Sequence, residues 1–276
     1  MIPYDFEYYR PGSIEEATRL FHLLDKQGKQ PVYYSGGTEL ITLGRVKRVV
    51  TGAVIDIKGI PECHVLQMEQ NRLVMGAAVP LTKLIEGNPF PLLSKTAGEI
   101  ADRTARNKIT LGGNVCGSIY YREAVLPLLL TDSRVGIADE KGIKVVPIEQ
   151  VFDQNIQLAK GELLVQVITD QRDLHLPFFS VKKRKQWNIG YPLLTVAALK
   201  KGDDIRVAFS GVYPFPFRDK GMETTLNNKQ LTPEARAEQA VQSLSGPILD
   251  NVEGSADYRL FVLKNTLLDV LEGLEG

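Results

Sequence analysis

The sequence predicts an α+β fold organised in two parts. In the first part, short apolar runs of strand type alternate with runs whose apolar residues recur at helical spacing. In the second part, two neighbouring strand-like runs are joined by a turn and followed by helices. Between the parts, Asp170, Asp173 and Pro177 interrupt the periodicity. We therefore expect one domain over residues 1–172 and another over residues 173–276.

The first helix is predicted to begin at Ser13. Ser13 and Glu16 have the spacing of a capping box, in which the two side chains accept hydrogen bonds from N–H groups at the start of the helix. Apolar residues then recur at helical spacing as far as Leu24, and Gly28 is a stop signal.

A first glycine loop, residues 35–39 with the sequence SGGTE, follows a strand predicted at residues 31–34. Residues 40–43 are predicted to form a helical turn directly after it. The order strand, glycine loop and helix places free N–H groups where an anion such as phosphate can bind. The carboxylate of Glu39 would repel a phosphate, so its side chain is expected to turn away or to cap the helix.

Two further strands are predicted at residues 53–58 and 73–78, and two helices at residues 81–86 and 92–105. Asp56 lies near the end of the first of these strands. Its carboxylate is suited either to bind a ligand or to cap the following turn, and turn capping is the favoured interpretation.

A second glycine loop, residues 110–114 with the sequence TLGGN, follows the predicted helix 92–105. By itself it indicates no more than a tight turn. Together with the first loop it suggests two clamps on one extended anionic ligand, because adjacent glycines allow close approach to bare backbone N–H groups.

The remaining elements follow from the same patterns. A buried helix with an early proline, a strand and a hairpin-like segment precede the strand that closes the first part. The second part contains antiparallel strands around a Gly-Asp-Asp turn and two terminal helices. In order, these elements are expected at residues 124–130, 135–138, 141–152, 165–169, 178–182, 195–199, 205–210, 233–244 and 258–274.

Charge and hydropathy exclude several classes of protein. Lys+Arg and Asp+Glu both number 33, so no net charge favours nucleic acid or an anionic membrane. The basic run at residues 182–185, with Trp187 and Tyr191 after it, is poor support for nucleic-acid binding on a neutral chain. Neither a signal peptide nor a membrane span is indicated, and a cytoplasmic protein is expected.

The metal-binding residue types are sparse. Cys63 and Cys116 are the only cysteines, too few for an iron–sulphur cluster or a zinc site made mainly of thiolates. The three histidines, His22, His64 and His175, are scattered along the chain. We therefore predict no metal site in this chain.

Four short stretches together resemble one known family: YSGGTELITL, VIDIKGIPE, ARNKITLGGN and FRDK. In this order they resemble the FAD-binding medium subunit or domain of molybdenum hydroxylases, the family of xanthine dehydrogenase and carbon monoxide dehydrogenase. The resemblance covers nearly the whole chain, and four ordered motifs are more specific than any one. It implies an FAD-binding domain of two α/β subdomains, about 1–55 and 56–172, and a C-terminal α+β domain with an antiparallel sheet.

The resemblance assigns most cofactor contacts to the two glycine loops. It implies that both loops bind FAD mainly through backbone N–H groups, with three polar side chains as further donors. The residues assigned in the loops are Ser35, Gly36, Gly37, Thr38, Glu39, Thr110, Leu111, Gly112, Gly113 and Asn114.

Four positions outside the loops are also assigned by the resemblance. Glu123 stands where the family has an aspartate that contacts the ribose or ribityl region, and a surface pair with Arg122 is the simpler alternative. Leu164 matches a position packed on the adenine. Lys182 matches one at the polar edge of the flavin, where a positive charge would stabilise the reduced ring. Tyr191 matches a residue over the isoalloxazine ring, or is simply a tyrosine at the start of a strand.

The resemblance implies a flavoprotein oxidoreductase subunit of a heteromeric, xanthine dehydrogenase-like enzyme. Its partners would be a large molybdopterin subunit and a small [2Fe-2S] subunit, and electrons would leave through the flavin to NAD or another acceptor. No catalytic acid or base is needed, because the flavin performs the chemistry. Two alternatives stay open at this point: a stand-alone flavin oxidoreductase, and a non-redox scaffold that has lost FAD.

Overall fold

The computed structural model describes residues 2–185 and 190–276, so Trp187 of the basic and aromatic run lies outside the described residues. The α-helices are α1 Ile14–Lys26, α2 Thr38–Arg45, α3 Leu81–Gly87, α4 Pro91–Gly98, α5 Arg103–Arg106, α6 Leu111–Cys116, α7 Val125–Leu130, α8 Lys220–Leu226, α9 Pro233–Gln242 and α10 Ala256–Glu275. The strands are β1 Glu7–Tyr9, β2 Val32–Tyr34, β3 Ala53–Asp56, β4 Leu66–Glu69, β5 Arg72–Gly76, β6 Arg134–Asp139, β7 Gly142–Pro147, β8 Phe152–Asp153, β9 Asn155–Ile156, β10 Leu163–Asp170, β11 Phe178–Lys183, β12 Leu194–Lys201, β13 Asp204–Ser210 and β14 Phe217–Arg218.

The chain divides into two compact units. Unit 1 consists of Met1–Gly87, Arg103–Gly117 and Ser133–Asp170. Unit 2 consists of Asn88–Asp102, Ser118–Asp132 and Gln171–Gly276, so that α4 and α7 belong to it. The domain division at residue 172 and the subdomain division at residue 55 stay predictions.

The first sheet of unit 1 is parallel and has the strand order β1-β3-β2. Tyr34 at the end of β2 lies opposite Asp56 at the end of β3. The first glycine loop therefore leaves the sheet beside the short 3-10 helix Ile57–Gly59, which follows β3. Sequence patterning missed β1, because it has only three residues and shows no alternation of buried and exposed positions.

The second sheet of unit 1 has the order β4-β5-β10-β6-β7, and all its pairs are antiparallel. The hairpin-like segment predicted at residues 141–152 supplies β7, which pairs with the preceding strand β6, and the start of β8, which pairs with β9. The buried side chains of Leu73, Met75 and Val167 lie in the interior of this unit. Helix α6, which carries the second glycine loop, packs on β10 and β5.

The single helix predicted at residues 92–105 is wrong. Helix α4 ends at Gly98, and α5 begins only at Arg103. The N–H groups of Glu99 and Ile100 bond to carbonyls three residues earlier, which tightens the last turn. Ala101 then takes a left-handed conformation with φ of 47°, and this conformation cannot continue a helix.

Unit 2 is built on the antiparallel sheet β11-β12-β13-β14. Gly202, at φ 65°, makes the predicted turn between β12 and β13. Buried residues of the sheet, such as Val196 and Phe209, share one core with residues of α8, α9 and α10. Asp219, from the FRDK stretch, caps α8 by accepting a hydrogen bond from the Met222 N–H at 3.0 Å.

This architecture confirms the predicted α+β class and the antiparallel sheet in the C-terminal part of the chain. Within residues 2–185 and 190–276, no helix combines the length and apolar character that a bilayer crossing requires. Among the same residues, no group of three or more His, Cys, Asp or Glu side chains is arranged to hold a metal ion.

Candidate functional site

The first glycine loop connects the end of β2 to the start of α2. Gly37 is the N-cap of α2 and has a φ of 72°, a conformation that glycine adopts without strain. Because glycine has no side chain, the N-cap residue leaves the first N–H groups of α2 without the usual side-chain acceptor. The hydroxyl oxygen of Ser35 is buried and has no hydrogen-bond partner among the described residues. The loop therefore presents donors that a ligand can satisfy.

The backbone approaches other groups closely at both glycines. A Cβ atom on Gly36 would lie 1.8 Å from the carbonyl oxygen of Lys108, and one on Gly37 would lie 2.2 Å from the ring of Tyr34. At Gly36 the clash is with backbone, so a larger residue would have to move the chain. At Gly37 it is with the Tyr34 side chain, and the positive φ of Gly37 is what disfavours a larger residue there. The loop is also placed directly against the segment that leads into the second glycine loop, because a Cβ on Gly36 would be 3.3 Å from the Thr110 nitrogen.

Glu39 of the first loop also reaches the end of α6. The carboxylate oxygen Oε2 of Glu39 lies 2.6 Å from the position that a Cβ on Gly117 would occupy. Gly117 is the C-cap of α6. The structure therefore places the Glu39 side chain against the end of α6, next to the second loop.

The second glycine loop differs from the first in its hydrogen bonding. The Leu111 N–H donates to Val79 O and the Gly112 N–H to Ala77 O, both at 2.9 Å. The N–H of Gly113 donates to Thr110 Oγ1 at 3.2 Å.

The N–H of Asn114 donates to Thr110 O at 2.9 Å, so all four N–H groups that follow Thr110 in this loop are used inside the protein. A contact between this loop and a phosphate stays a prediction, and these four N–H groups already have acceptors within the protein. Gly112 serves close packing instead, because its Cβ would lie 2.5 Å from the Cβ of Ala77.

Leu164 is the remaining predicted FAD contact in unit 1. It lies in β10 opposite Ile137 of β6. Only 2% of its surface is exposed. It is a core residue of unit 1, and a contact with adenine stays a prediction.

Lys58 lies beside the first glycine loop and was not among the predicted site residues. Its Nζ atom donates to the carbonyl oxygen of Ser35 at 2.8 Å and to Asp56 Oδ1 at 2.8 Å. Asp56 also accepts from the Lys58 N–H at 2.9 Å, which confirms the predicted turn cap. The spacing Asp-x-Lys after a strand was the only sequence signal, and it becomes meaningful only because β3 pairs with β2.

Glu123, in unit 2, forms a buried ion pair with Lys182. Nζ of Lys182 lies 2.6 Å from Glu123 Oε1, and the side chains are 4% and 1% exposed respectively. Lys182 Nζ also donates to Glu99 O at 2.9 Å. The alternative of a surface pair between Arg122 and Glu123 is wrong, because both residues are buried.

The Glu123 to Lys182 pair bears on the role predicted for Lys182. Taking two charges out of water is costly, and their mutual attraction offsets that cost only while both are present. Within unit 2 the positive charge of Lys182 is already matched by the Glu123 carboxylate. Lys182 therefore does not present an unpaired positive charge.

Tyr191, also in unit 2, stacks on Tyr121 with ring centroids 4.9 Å apart and planes inclined at 21°. Tyr121 is buried, whereas 55% of the Tyr191 surface is exposed. Tyr191 thus offers an aromatic surface to other molecules. In the neighbouring basic run, Arg184 donates to Glu99 O at 3.0 Å and Lys183 lies 3.5 Å from Asp269, so these charges have protein partners.

Comparison with known proteins decides the family. A family profile described as the FAD binding domain in molybdopterin dehydrogenase matches residues 4–169, more than half of the chain. The chain belongs to this family. A second profile, the CO dehydrogenase flavoprotein C-terminal domain, matches residues 179–274. The chain is therefore an FAD-binding, medium-type flavoprotein subunit of the molybdenum hydroxylase family of oxidoreductases, as the four motifs predicted.

Individual relatives agree with this assignment over their full length. The chain is 27% identical to the nicotinate dehydrogenase FAD-subunit of Eubacterium barkeri, covering 99% of this chain and 98% of that protein. It is 27% identical to the carbon monoxide dehydrogenase medium chain of Hydrogenophaga pseudoflava, covering 94% and 93%. A solved structure of carbon monoxide dehydrogenase from Hydrogenophaga pseudoflava shares the fold, with a TM-score of 0.88, 24% identity and coverage of 100% and 99%.

The residues of the first glycine loop fit the family cofactor, FAD. A diphosphate needs N–H donors, a close approach to the backbone and room where a side chain would otherwise lie. The loop has a helix start capped only by a glycine, two glycines at which a larger residue would be strained, and the buried Ser35 hydroxyl oxygen. The second loop meets fewer of these conditions, because its N–H groups are already bonded.

Proposed function

We propose that this chain is the electron-exit subunit of a heteromeric molybdenum hydroxylase. Its partners are a large molybdopterin subunit and a small [2Fe-2S] subunit, and it passes electrons from the clusters to NAD or another acceptor. Several relatives that span the chain from end to end bear the names FAD-subunit or medium chain, which supports a place in a complex. A cytoplasmic location belongs to the same proposal.

The observation that carries this proposal is the first glycine loop. Ser35 and the N–H groups at the start of α2 hold the diphosphate of FAD, while Gly36 and Gly37 keep the space beside the backbone clear. When bound, FAD supplies the redox chemistry that side chains lack.

The other predicted residues have supporting roles in the proposal. Thr110 and Asn114 contribute through their side chains, and the Asn114 N–H is already bonded to Thr110 O. For Leu164, Glu123, Lys182 and Tyr191, a contact with FAD stays a prediction from the resemblance.

The proposal is tested first on the purified chain. We expect flavin absorbance at ~450 nm, either as isolated or after adding FAD, and FAD rather than FMN on release. A folded chain that stays colourless in excess FAD contradicts flavin binding by the chain alone. The same measurement on the chain co-expressed with the two partner genes then decides whether the site needs its partners or the function is wrong.

The acceptor is tested separately on the flavin-loaded chain under anaerobic conditions. If NAD is the acceptor, adding NADH bleaches the flavin absorbance within seconds to minutes, because electron exchange with the flavin is reversible. Unchanged absorbance with NADH, combined with bleaching by dithionite, excludes NAD and leaves another acceptor. This result would not affect the assignment as a flavin subunit.

A further inference from the structure

Lys58 makes an unusual set of contacts for a lysine near the protein surface. Its Nζ donates to Ser35 O and to Asp56 Oδ1, and lies 4.3 Å from the centroid of the Tyr34 ring. An ammonium group has three N–H donors. Two of these donors make hydrogen bonds, and the ammonium group also makes a cation–π contact with the Tyr34 ring.

The acceptor that holds Lys58 is itself fixed. Asp56 is 3% exposed at its side chain and accepts from the Lys58 N–H, Lys58 Nζ and the Tyr8 hydroxyl. The Lys58 carbonyl oxygen lies 3.0 Å from His64 Nε2. Both ends of the lysine are therefore positioned, and its side chain has little freedom to move.

The contact with Ser35 O bears directly on the glycine loop. The peptide between Ser35 and Gly36 is trans, and in a trans peptide the C=O and the following N–H point to opposite sides of the chain. Fixing the Ser35 carbonyl therefore fixes the direction of the Gly36 N–H. Without such an anchor, adjacent glycines would leave the loop many accessible conformations.

We propose that Lys58 is a positioning residue that pre-orients the first glycine loop for a diphosphate, with Asp56 holding the lysine in place. Lys58 acts through the Ser35 peptide rather than as a ligand of the diphosphate, because two of its three N–H donors bond to Ser35 O and Asp56 Oδ1 and its cation lies against the Tyr34 ring. Loop ordering before binding lowers the entropy cost of binding. The inference rests on the proposed flavin-binding function of this loop.

The test uses the full chain freed of flavin and measures binding of FAD and of ADP by calorimetry. Lys58→Met keeps the length of the side chain and removes its charge and donors. We expect it to weaken both ligands by about tenfold or more, the effect of one hydrogen bond to a charged group. The factor should be the same for FAD and ADP, since both carry the diphosphate.

Lys141→Met is the matched control. Lys141 is an exposed residue of unit 1 in the turn between β6 and β7. Its replacement removes the same charge from the same unit away from the loop, and we expect the affinities to change by less than about twofold.

Amide hydrogen exchange of residues 36–39 in the flavin-free chain separates positioning from simple charge attraction. Positioning predicts that exchange at these residues becomes faster in Lys58→Met and stays unchanged in Lys141→Met. If affinity falls while exchange does not change, Lys58 acts only through its charge and the proposal is overturned. Unchanged affinity also overturns it.

Two further outcomes are distinguishable. If the wild-type chain binds neither FAD nor ADP with or without its partners, the proposed function fails, and the inference fails with it. If Lys58→Met does not fold, Lys58→Gln replaces it, because the amide retains a neutral donor. Lys58→Gln should then show faster exchange at residues 36–39 and weaker binding of both ligands, each to a smaller extent than complete loss of the donor would cause. Weaker binding with unchanged exchange contradicts the proposal, and so does wild-type behaviour of this variant.

Discussion

The two glycine loops have similar sequences and lie side by side in unit 1, yet the structure uses them differently. In the first loop, Gly37 takes a positive φ and begins α2 without a capping side chain. In the second loop, Thr110 caps α6 and every N–H that follows it as far as Asn114 is bonded within the protein. A glycine pair therefore indicates that another group comes close to the backbone. Only the hydrogen bonds tell whether the backbone N–H groups there are bonded within the protein.

The largest expected effect concerns the close approach in the first loop. Gly36→Ala places a Cβ 1.8 Å from Lys108 O, a backbone atom that cannot move without shifting the lead-in to the second loop. We expect the free energy of unfolding to fall by about 3 kcal/mol, the upper range for overpacking. Urea unfolding of the flavin-free chain measures this value.

Gly113→Ala is the matched control from the second loop. Its Cβ would meet Thr110 Oγ1 at 2.9 Å, a side-chain atom, and alanine is favoured over glycine inside a helix by about 1 kcal/mol. We expect its stability to stay within about 1 kcal/mol of wild type. Equal destabilisation by Gly36→Ala and Gly113→Ala would contradict the proposed difference in packing between the two loops.

The second expected effect concerns the start of α2 in the first loop, where the N-cap Gly37 has no capping side chain. Thr38 is the first residue of α2 and is exposed, and aspartate is favourable at this position in a helix. Thr38→Asp should therefore fold, but its charge should weaken FAD binding by about 30-fold through repulsion of the diphosphate. Flavin fluorescence titration measures the affinity.

Two variants complete this experiment. Thr38→Asn has the same shape without the charge, and we expect it to bind FAD within about threefold of wild type. Gly113→Asp introduces the same charge in the second loop, where the N–H groups are bonded, and should weaken FAD less than Thr38→Asp does. A larger loss with Gly113→Asp would place the diphosphate at the second loop instead.

The smallest expected effect is a difference in pH dependence. Burial by itself raises the pKa of Asp56, but hydrogen bonds from Lys58 and Tyr8 outweigh it and hold that pKa below its ordinary value. A lowered pKa in the folded state means that Asp56 stabilises the protein above about pH 4 and that this contribution is lost as the pH falls further. The backbone bonds of the second loop do not titrate.

Asp56→Asn tests this difference. The wild type should lose stability relative to Asp56→Asn when the pH is lowered from about 6 to about 3, because the variant has no carboxylate to protonate there. Urea midpoints at both pH values give the comparison. Parallel pH profiles for the two proteins would mean that the Asp56 carboxylate contributes nothing to folding through its charge.

Sequence patterns predicted much of the local structure. Ser13 caps α1 as expected, since its Oγ accepts from the Glu16 N–H at 3.1 Å. The glycine-containing turn between β12 and β13 lies where it was predicted. These features depend on residues a few positions apart, so their spacing in the chain is enough to identify them. The failure at residues 92–105 has the same origin, because helical spacing alone does not reveal the left-handed Ala101.

The sequence by itself determined the α+β class, the two glycine loops and the family, because local spacing and ordered motifs encode them. Only the tertiary structure decided that the N–H groups of the second loop bond within the protein, while α2 in the first loop begins without a capping side chain. The N–H of Leu111 finds Val79 O, and Lys58 reaches Ser35 O, through segments that are separate in the chain. The buried partner of Glu123 is likewise a residue of a later strand, Lys182. Hydrogen-bond and ion-pair partners depend on such approaches between distant segments, and no periodicity in the sequence records them.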